Sequence, residues 1–124
     1  MMNCPFCEIK KSRIVTDNEI AFVVRDFYPV TEMHSLIIPF RHESDYFKLT
    51  KKEIIACHGL LLSEKNKLQS LDTSILGFNV GINCGKESGQ TVMHTHIHLI
   101  PRRLGDQENP TGGVRGVIPE KQKY

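Results

Sequence analysis

Val92-Met93-His94-Thr95-His96-Ile97-His98-Leu99-Ile100 alternates imidazoles with small or apolar side chains, and Pro101 follows it. A period of two is the signature of a β-strand, so the run predicts a strand over Val92–Ile100, ended by the proline. On such a strand His94, His96 and His98 share one face, and Thr95, Ile97 and Leu99 share the other. Three imidazoles in a row, in a chain with six histidines, exceed what a solvated polar face requires. A single metal held by all three is opposed by geometry. Four strand steps separate His94 from His98 by about 13 Å, whereas each Zn–N bond is only about 2 Å. Two adjacent members could share a metal, so the row is expected to divide its duties.

The flanks extend the same reading. Leu76, Phe78, Val80 and Ile82 alternate within Ile75–Asn83, which predicts another strand. Asn83 to Thr91 is a turn-rich loop with Gly85 and Gly89, leading directly into the histidine strand. Its backbone amides, the Thr91 hydroxyl and two carboxamides are groups suited to phosphate oxygens, although there is no Gly-Lys-Thr and no following helix. Further back, Thr50-Lys51-Lys52-Glu53 fits a helix capping box. Behind it Ile54, Ile55, Cys57, Leu61, Leu62 and Leu68 recur near helical spacing, predicting one helix to about Leu71. Ile20–Val24, ending at Arg25-Asp26, and Ser35–Ile38, stopped by Pro39, read as an antiparallel hairpin joined through Phe27–Thr31. The tail from Arg102 is polar and rich in Gly and Pro, and reads as a loop or partner-binding arm. Strands and one long helix in this order predict an α+β fold, an antiparallel sheet with the helix on one face.

Cys4-Pro5-Phe6-Cys7 has zinc-ligand spacing, and a full site needs two more ligands. His34, His42, His58 and the triple-histidine strand are the candidates. No strand precedes the pair to hold it at a helix start, which argues against a thioredoxin-like redox role. The chain has 124 residues and 14.1 kDa, a single-domain length expected to form one unit over 1–124 with 102–124 as its tail. Sixteen Lys plus Arg against fourteen Asp plus Glu give a net charge of +2, which excludes a polybasic nucleic-acid binder or membrane-surface protein on charge alone. Met1 to Lys11 has no signal-peptide pattern, and no apolar run approaches the roughly 18 residues of a membrane span. A cytoplasmic protein is expected, with cysteines as thiols or metal ligands.

Gly89-Gln90-Thr91-Val92-Met93-His94-Thr95-His96-Ile97-His98-Leu99-Ile100-Pro101-Arg102 resembles the signature of the histidine-triad (HIT) superfamily, His-x-His-x-His followed by two apolar residues with a Gln four positions before the first His. His34-Ser35-Leu36-Ile37-Ile38-Pro39 with His42 is similar to its second block, and Cys4-Pro5-Phe6-Cys7 to the zinc-bearing N-terminus of many bacterial and archaeal members. Gly112 to Lys121 is similar to tails of dinucleoside polyphosphate hydrolases. The resemblance implies a HIT-like sheet of about five strands, one long helix, a short N-terminal helix and a homodimer. It implies a nucleotide hydrolase in which His96 is the nucleophile, forming a covalent nucleotidyl-histidine that water then hydrolyses. His98 and Gln90 join it as catalytic residues, with Asn83, Gly89 and Thr91 holding phosphate oxygens. Asp26 matches the ribose-binding acid, and Phe6, Ile9, Val24 and Phe27 the apolar walls around the base, with Pro5 departing from the usual aliphatic. Zinc would be structural, on Cys4, Cys7, His42 and His94, with His34 close to the triad.

Within that resemblance, dinucleoside polyphosphates such as diadenosine tetraphosphate are the first expectation for substrate. A purine nucleoside phosphoramidase acting on AMP-amine or AMP-lysine is the alternative, and a zinc-stapled nucleotide-binding module a further one. The intact His96 argues against a pure binder, and the unchanged His98 against a phosphorylase or nucleotidyl transferase.

Overall fold

In a computed structural model the described residues are 3–124, so the first two residues of the expected 1–124 unit lie outside them. Five strands form one antiparallel sheet in the order β1-β2-β3-β5-β4. They are β1 (Ile14–Asp17), β2 (Ala21–Arg25), β3 (Ser35–Pro39), β4 (Ile75–Gly81) and β5 (Ile97–Arg103), with the helix α1 (Lys51–Leu71) between β3 and β4. β2 and β3 form the expected hairpin, registered from Ala21↔Pro39 to Arg25↔Ser35. β1 is a strand beyond the four read from the residues, and it completes the sheet of about five that the resemblance implied; Ile14-Val15-Thr16 is a run of β-branched residues, and its brevity hid it. The N-terminal helical element is one turn closed by Glu8 N–H on the Cys4 carbonyl, followed by a 3-10 turn over Lys11–Arg13.

α1 starts where the capping box predicts. The Thr50 hydroxyl accepts from Glu53 N–H at 3.1 Å, and the Glu53 carboxylate accepts from Thr50 N–H at 2.8 Å. Cys57, Leu60 and Leu68 on its inner face pack on Ala21, Val23, Ile37, Ile97 and Leu99 of the sheet. Burying each such side chain is worth about 1.5–3 kcal/mol. Glu64 lies on the same buried face, and its charge is met by Arg25 and by Lys67, the latter at 3.1 Å. The opposite face has its own cluster, Phe22, Val24, Leu36 and Ile38, covered by Phe6, Ile9 and Ile14 from the N-terminal segment.

The last strand differs from expectation at both ends. It begins at Ile97, not Val92, because Thr95 is bonded elsewhere: its N–H and its hydroxyl both donate to the Glu43 carbonyl, at 2.7 and 2.8 Å. Bends over residues 92–94 deliver the chain to that anchor. The strand then runs through Pro101 to Arg103. The Pro101 carbonyl accepts from the Thr31 hydroxyl at 2.6 Å, on the side of β3. A strand residue's N and C=O face the same way, so the missing N–H falls where the β3 ladder has already ended at Ser35↔Leu99. Beyond Arg103 the tail is folded and not a free arm. It carries 3-10 turns over Gly113–Val117 and Pro119–Lys121, and the first of them packs against β4.

Candidate active site and metal centre

Where β5 meets β3 the register sets Leu36 opposite His98 and Ile37 opposite Ile97. His98 therefore emerges on the face away from α1, in the row of Leu36 and Val24. The His96 and His98 rings stand 5.2 Å apart, and the Phe6 ring meets His96 edge-on at 5.0 Å. His94 does not join that row. The bends before the strand turn it inward, where it is fully buried.

A backbone or side-chain partner fixes the proton of each imidazole. His94 Nε2 lies 2.8 Å from the Pro39 carbonyl, which can only accept, so Nε2 carries the hydrogen and Nδ1 keeps a lone pair. His96 Nδ1 lies 2.8 Å from the His94 carbonyl, so Nδ1 carries the hydrogen and Nε2 keeps the lone pair. His34 Nδ1 accepts from Val30 N–H at 3.0 Å, which leaves the hydrogen on Nε2. That nitrogen is 2.9 Å from His98 Nδ1, which must accept, so His98 presents an Nε2–H donor. His34 is held for this task by a tight turn. Its N–H donates to the Thr31 carbonyl, and Met33 takes a left-handed φ of 73°, a conformation that costs about 1 kcal/mol for a side chain of its kind. Burial pushes His34 and, more strongly, His98 below the usual imidazole range, His98 to about 4. Both are neutral at pH 7, as the chain of donors and acceptors requires.

Asp26 lies against this pair. One carboxylate oxygen accepts from Tyr28 N–H at 2.9 Å, and the other is 3.5 Å from His34 Nε2. Asp26, His34 and His98 bring three metal-ligating atoms within 4.8 Å of one another. A metal there would need the lone pair of His34 Nε2, which the Val30 N–H has already assigned to a hydrogen. The cluster is a donor relay by that criterion.

The second cluster has the opposite character. Cys4, Cys7, His42 and His94 also place their ligand atoms within 4.8 Å of one another. Cys4 Sγ is 3.4 Å and Cys7 Sγ 3.6 Å from His94 Nδ1, and Cys7 Sγ is 3.3 Å from His42 Nδ1. A tetrahedral zinc with bonds of about 2.3 Å to sulfur and 2.05 Å to nitrogen has S···N edges of roughly 3.6 Å. Two soft thiols and two imidazoles at those separations fit zinc, and the Pro39 carbonyl has already turned the His94 lone pair toward them. Cys7 N–H donates to Cys4 Sγ at 3.4 Å, an outer hydrogen bond of the kind that orients a ligand. His58 lies exposed on α1, outside the cluster.

Several expected binding residues are placed differently. Gln90 is buried with its carboxamide committed inside the loop: Oε1 accepts from Gly85 N–H at 2.8 Å, and Nε2 donates to the carbonyls of Ser44 and Val92. It shapes the loop and has no free donor aimed at the histidines. Asn83 lines the cavity that His98 also lines. Gly89 has φ 99° and closes the 3-10 turn over Lys86–Ser88, and Thr91 is exposed. Phe6 and Ile9 pack against Val24 and its neighbours. Phe27 does not join them; it is 72% exposed, with the Arg13 guanidinium 3.6 Å above its ring. The His34 relay through Val30 N–H escaped the sequence reading, because a backbone donor leaves no residue-type signal. Among the described residues no helix is long and apolar enough to cross a membrane.

Known proteins share this sequence pattern and this fold. The HIT domain family matches residues 8–105. A bis(5′-adenosyl)-triphosphatase of Dictyostelium discoideum is 35% identical over 103 residues, covering 82% of this chain and 67% of that protein. The crystal structure of a HIT family protein from Bacillus anthracis is similar with a TM-score of 0.77 at 33% identity, covering 84% of this chain and 76% of that one. A Zn-bound histidine triad family protein from Mycobacterium smegmatis gives a TM-score of 0.78 at 28% identity, covering 87% and 81%.

Proposed function

The chain belongs to the HIT domain family, and on that premise we propose that it is a nucleotide hydrolase cleaving dinucleoside polyphosphates through a nucleotidyl-histidine intermediate. The observation that carries this reading is the proton assignment: His96 offers an Nε2 lone pair and His98 an Nε2–H donor on the same face of the sheet. The similarity to a bis(5′-adenosyl)-triphosphatase supports the substrate class.

The His96 Nε2 lone pair attacks the α-phosphorus. An N–P bond forms as the P–O bond to the leaving polyphosphate breaks, and that oxygen departs with the electron pair. His98 Nε2–H donates to a non-bridging phosphate oxygen, where charge develops in the transition state. Positive charge that builds on His96 is shared through Nδ1–H with the His94 carbonyl. Water then attacks phosphorus, the N–P bond breaks back to neutral imidazole, and the water proton goes to solvent. Diadenosine tetraphosphate plus water would give AMP and ATP. Asp26, whose outer face adjoins the His34–His98 pair, is the group for the ribose hydroxyls; Phe6 and Ile9, backed by the buried Val24, offer the base an apolar wall.

Zinc on Cys4, Cys7, His42 and His94 would fill a closed four-coordinate site, contributing folding free energy and no open position for substrate. The chain's own residues connect that site to the chemistry. His94 gives its ring to the cluster and its carbonyl to His96, so whatever immobilises the ring also steadies the proton on the nucleophile. A homodimer is part of the same reading. β4 is an edge strand with Leu76 exposed, and Ile55 and Leu62 lie exposed one above the other on α1. Sedimentation equilibrium at micromolar concentration tests it, and a monomer mass would reject it.

The intermediate is tested by rapid quench with diadenosine tetraphosphate labelled on the α-phosphates. Acid-labile, base-stable label on His96 is expected. Full-speed turnover with no protein-bound label would overturn the mechanism.

A further inference from the structure

The face away from α1 is covered from both ends of the chain. The N-terminal segment lies over β2 and β3. The C-terminal tail lies against β4. Between the tail and the sheet is a cavity of about 660 Å³ that reaches His34 and His98, within the size range of small-molecule sites. We propose that this cavity is a second nucleoside site, occupied by the base and sugar of the leaving half while the first nucleoside lies on the Phe6–Ile9 side. The inference rests on the nucleotide-hydrolase reading and names the leaving group for it.

Three features select a neutral, flat, hydrogen-bonding occupant. Ile100 on the floor and Val114 and Val117 on the roof are apolar, while the Asn83 carboxamide and the Asn79 Nδ2 supply hydrogen-bonding groups, Asn79 Oδ1 already accepting from Arg102 at 2.7 Å. The only guanidinium and carboxylate among the described lining residues, Arg102 and Asp106, bond each other twice at 2.8 Å. No unpaired acid remains to attract a lysine ammonium, and no unpaired base to attract a terminal phosphate. The roof is built, not draped. Gly112 at φ 88° stands where a Cβ would lie 1.7 Å from the Gln122 carbonyl oxygen, Arg115 N–H donates to the Gly112 carbonyl, and Gln122 Nε2 donates to the Thr111 carbonyl. That closure holds Val114 and Val117 over the sheet without help from another chain.

Val114 is 62% exposed, so substitution there alters the roof with little cost to the core. The test compares kcat/KM for diadenosine tetraphosphate with that for adenosine 5′-phosphoramidate, whose leaving group is ammonia. Val114→Trp and Val114→Asp should lower the ratio of the two at least tenfold, chiefly through KM for the dinucleotide. A ratio within twofold of the unaltered protein's in both variants overturns the second site. A separate arm uses equilibrium binding to the His96→Ala protein. Diadenosine tetraphosphate should bind at least tenfold tighter than AMP, and Val114→Trp should abolish the difference. Equal binding of the two ligands overturns the proposal. If the unaltered protein cleaves neither substrate, the hydrolase reading falls while this binding arm still decides the cavity's occupant.

Discussion

The two faces of the sheet use the same strands for different purposes. On the helix side Ile97 and Leu99 are sealed against Leu60 and Leu68. One residue along, His96 and His98 point the other way, half-buried under segments from the two chain ends. Apart from Glu64 and its ion pair with Arg25, the helix side is filled by side chains that need only be apolar and of the right volume. On the other side the histidines, set beside the apolar cluster of Phe22, Val24, Leu36 and Ile38, are held by directional bonds from single carbonyls and amides: Pro39 and His94 C=O, Val30 N–H. Substitutions should therefore separate stability from chemistry according to the face they strike.

The largest separation is expected from His96→Ala. Loss of the proposed nucleophile should cut turnover of a dinucleoside polyphosphate at least about 10⁴-fold, over 5 kcal/mol of activation free energy, with the thermal midpoint nearly unmoved. Residual activity above one per cent would remove His96 from the central role. Next is Cys4→Ser/Cys7→Ser. Metal analysis should show stoichiometric zinc lost, and denaturant unfolding should report several kcal/mol less stability in a protein prepared with zinc. Retained zinc would take the pair off the ligand list. On the opposite side Leu68→Ala should cost about 3 kcal/mol by urea titration and leave kcat within twofold. A large kcat loss there would mean that the faces are not independent.

A smaller effect is expected at His34, which fixes the hydrogen on His98. His34→Leu should lower kcat about 10- to 100-fold by freeing the His98 tautomer, and His34→Gln, whose amide can still donate, should recover part of it. A KM effect alone would make His34 merely structural. The smallest is a pH effect. His98 folds with a value near 4 against its ordinary 6.5. Between those limits the unfolded chain binds a proton that the folded one refuses, so stability is greatest above pH 6.5 and falls as the pH drops toward 4. His34 shifts in the same direction. His98→Gln should flatten this part of the midpoint–pH curve, and an unchanged slope would place the titration elsewhere.

The helix side was legible because volume and period are written in residue types. The capping box at Thr50–Glu53 and the spacing of Cys57, Leu61 and Leu68 placed α1 within a residue of its ends. The grouping of Cys4, Cys7, His42 and His94 was legible through the family resemblance, since residue types that can ligate a metal are few. Gln90 was harder. Its residue type fits a phosphate-binding group, and only the carbonyls of Ser44 and Val92, 46 and 2 residues away in sequence, reveal where its donors go. The start of β5 escaped for a similar reason. Alternation runs back to Val92, but the Glu43 carbonyl captures Thr95 first, and no local pattern announces a partner 52 residues distant. The Pro101 stop failed because a proline interrupts a strand only where a neighbour is waiting for its N–H.

The Val30 N–H that faces His34 has a consequence for how the catalyst resets. A peptide amide does not surrender its hydrogen at any physiological acidity, so the orientation it imposes on His34, and through it on His98, is installed once when the chain folds. Every catalytic cycle then begins from one arrangement of hydrogens, with no waiting for rings to exchange with the medium and no fraction of molecules idling in the wrong form.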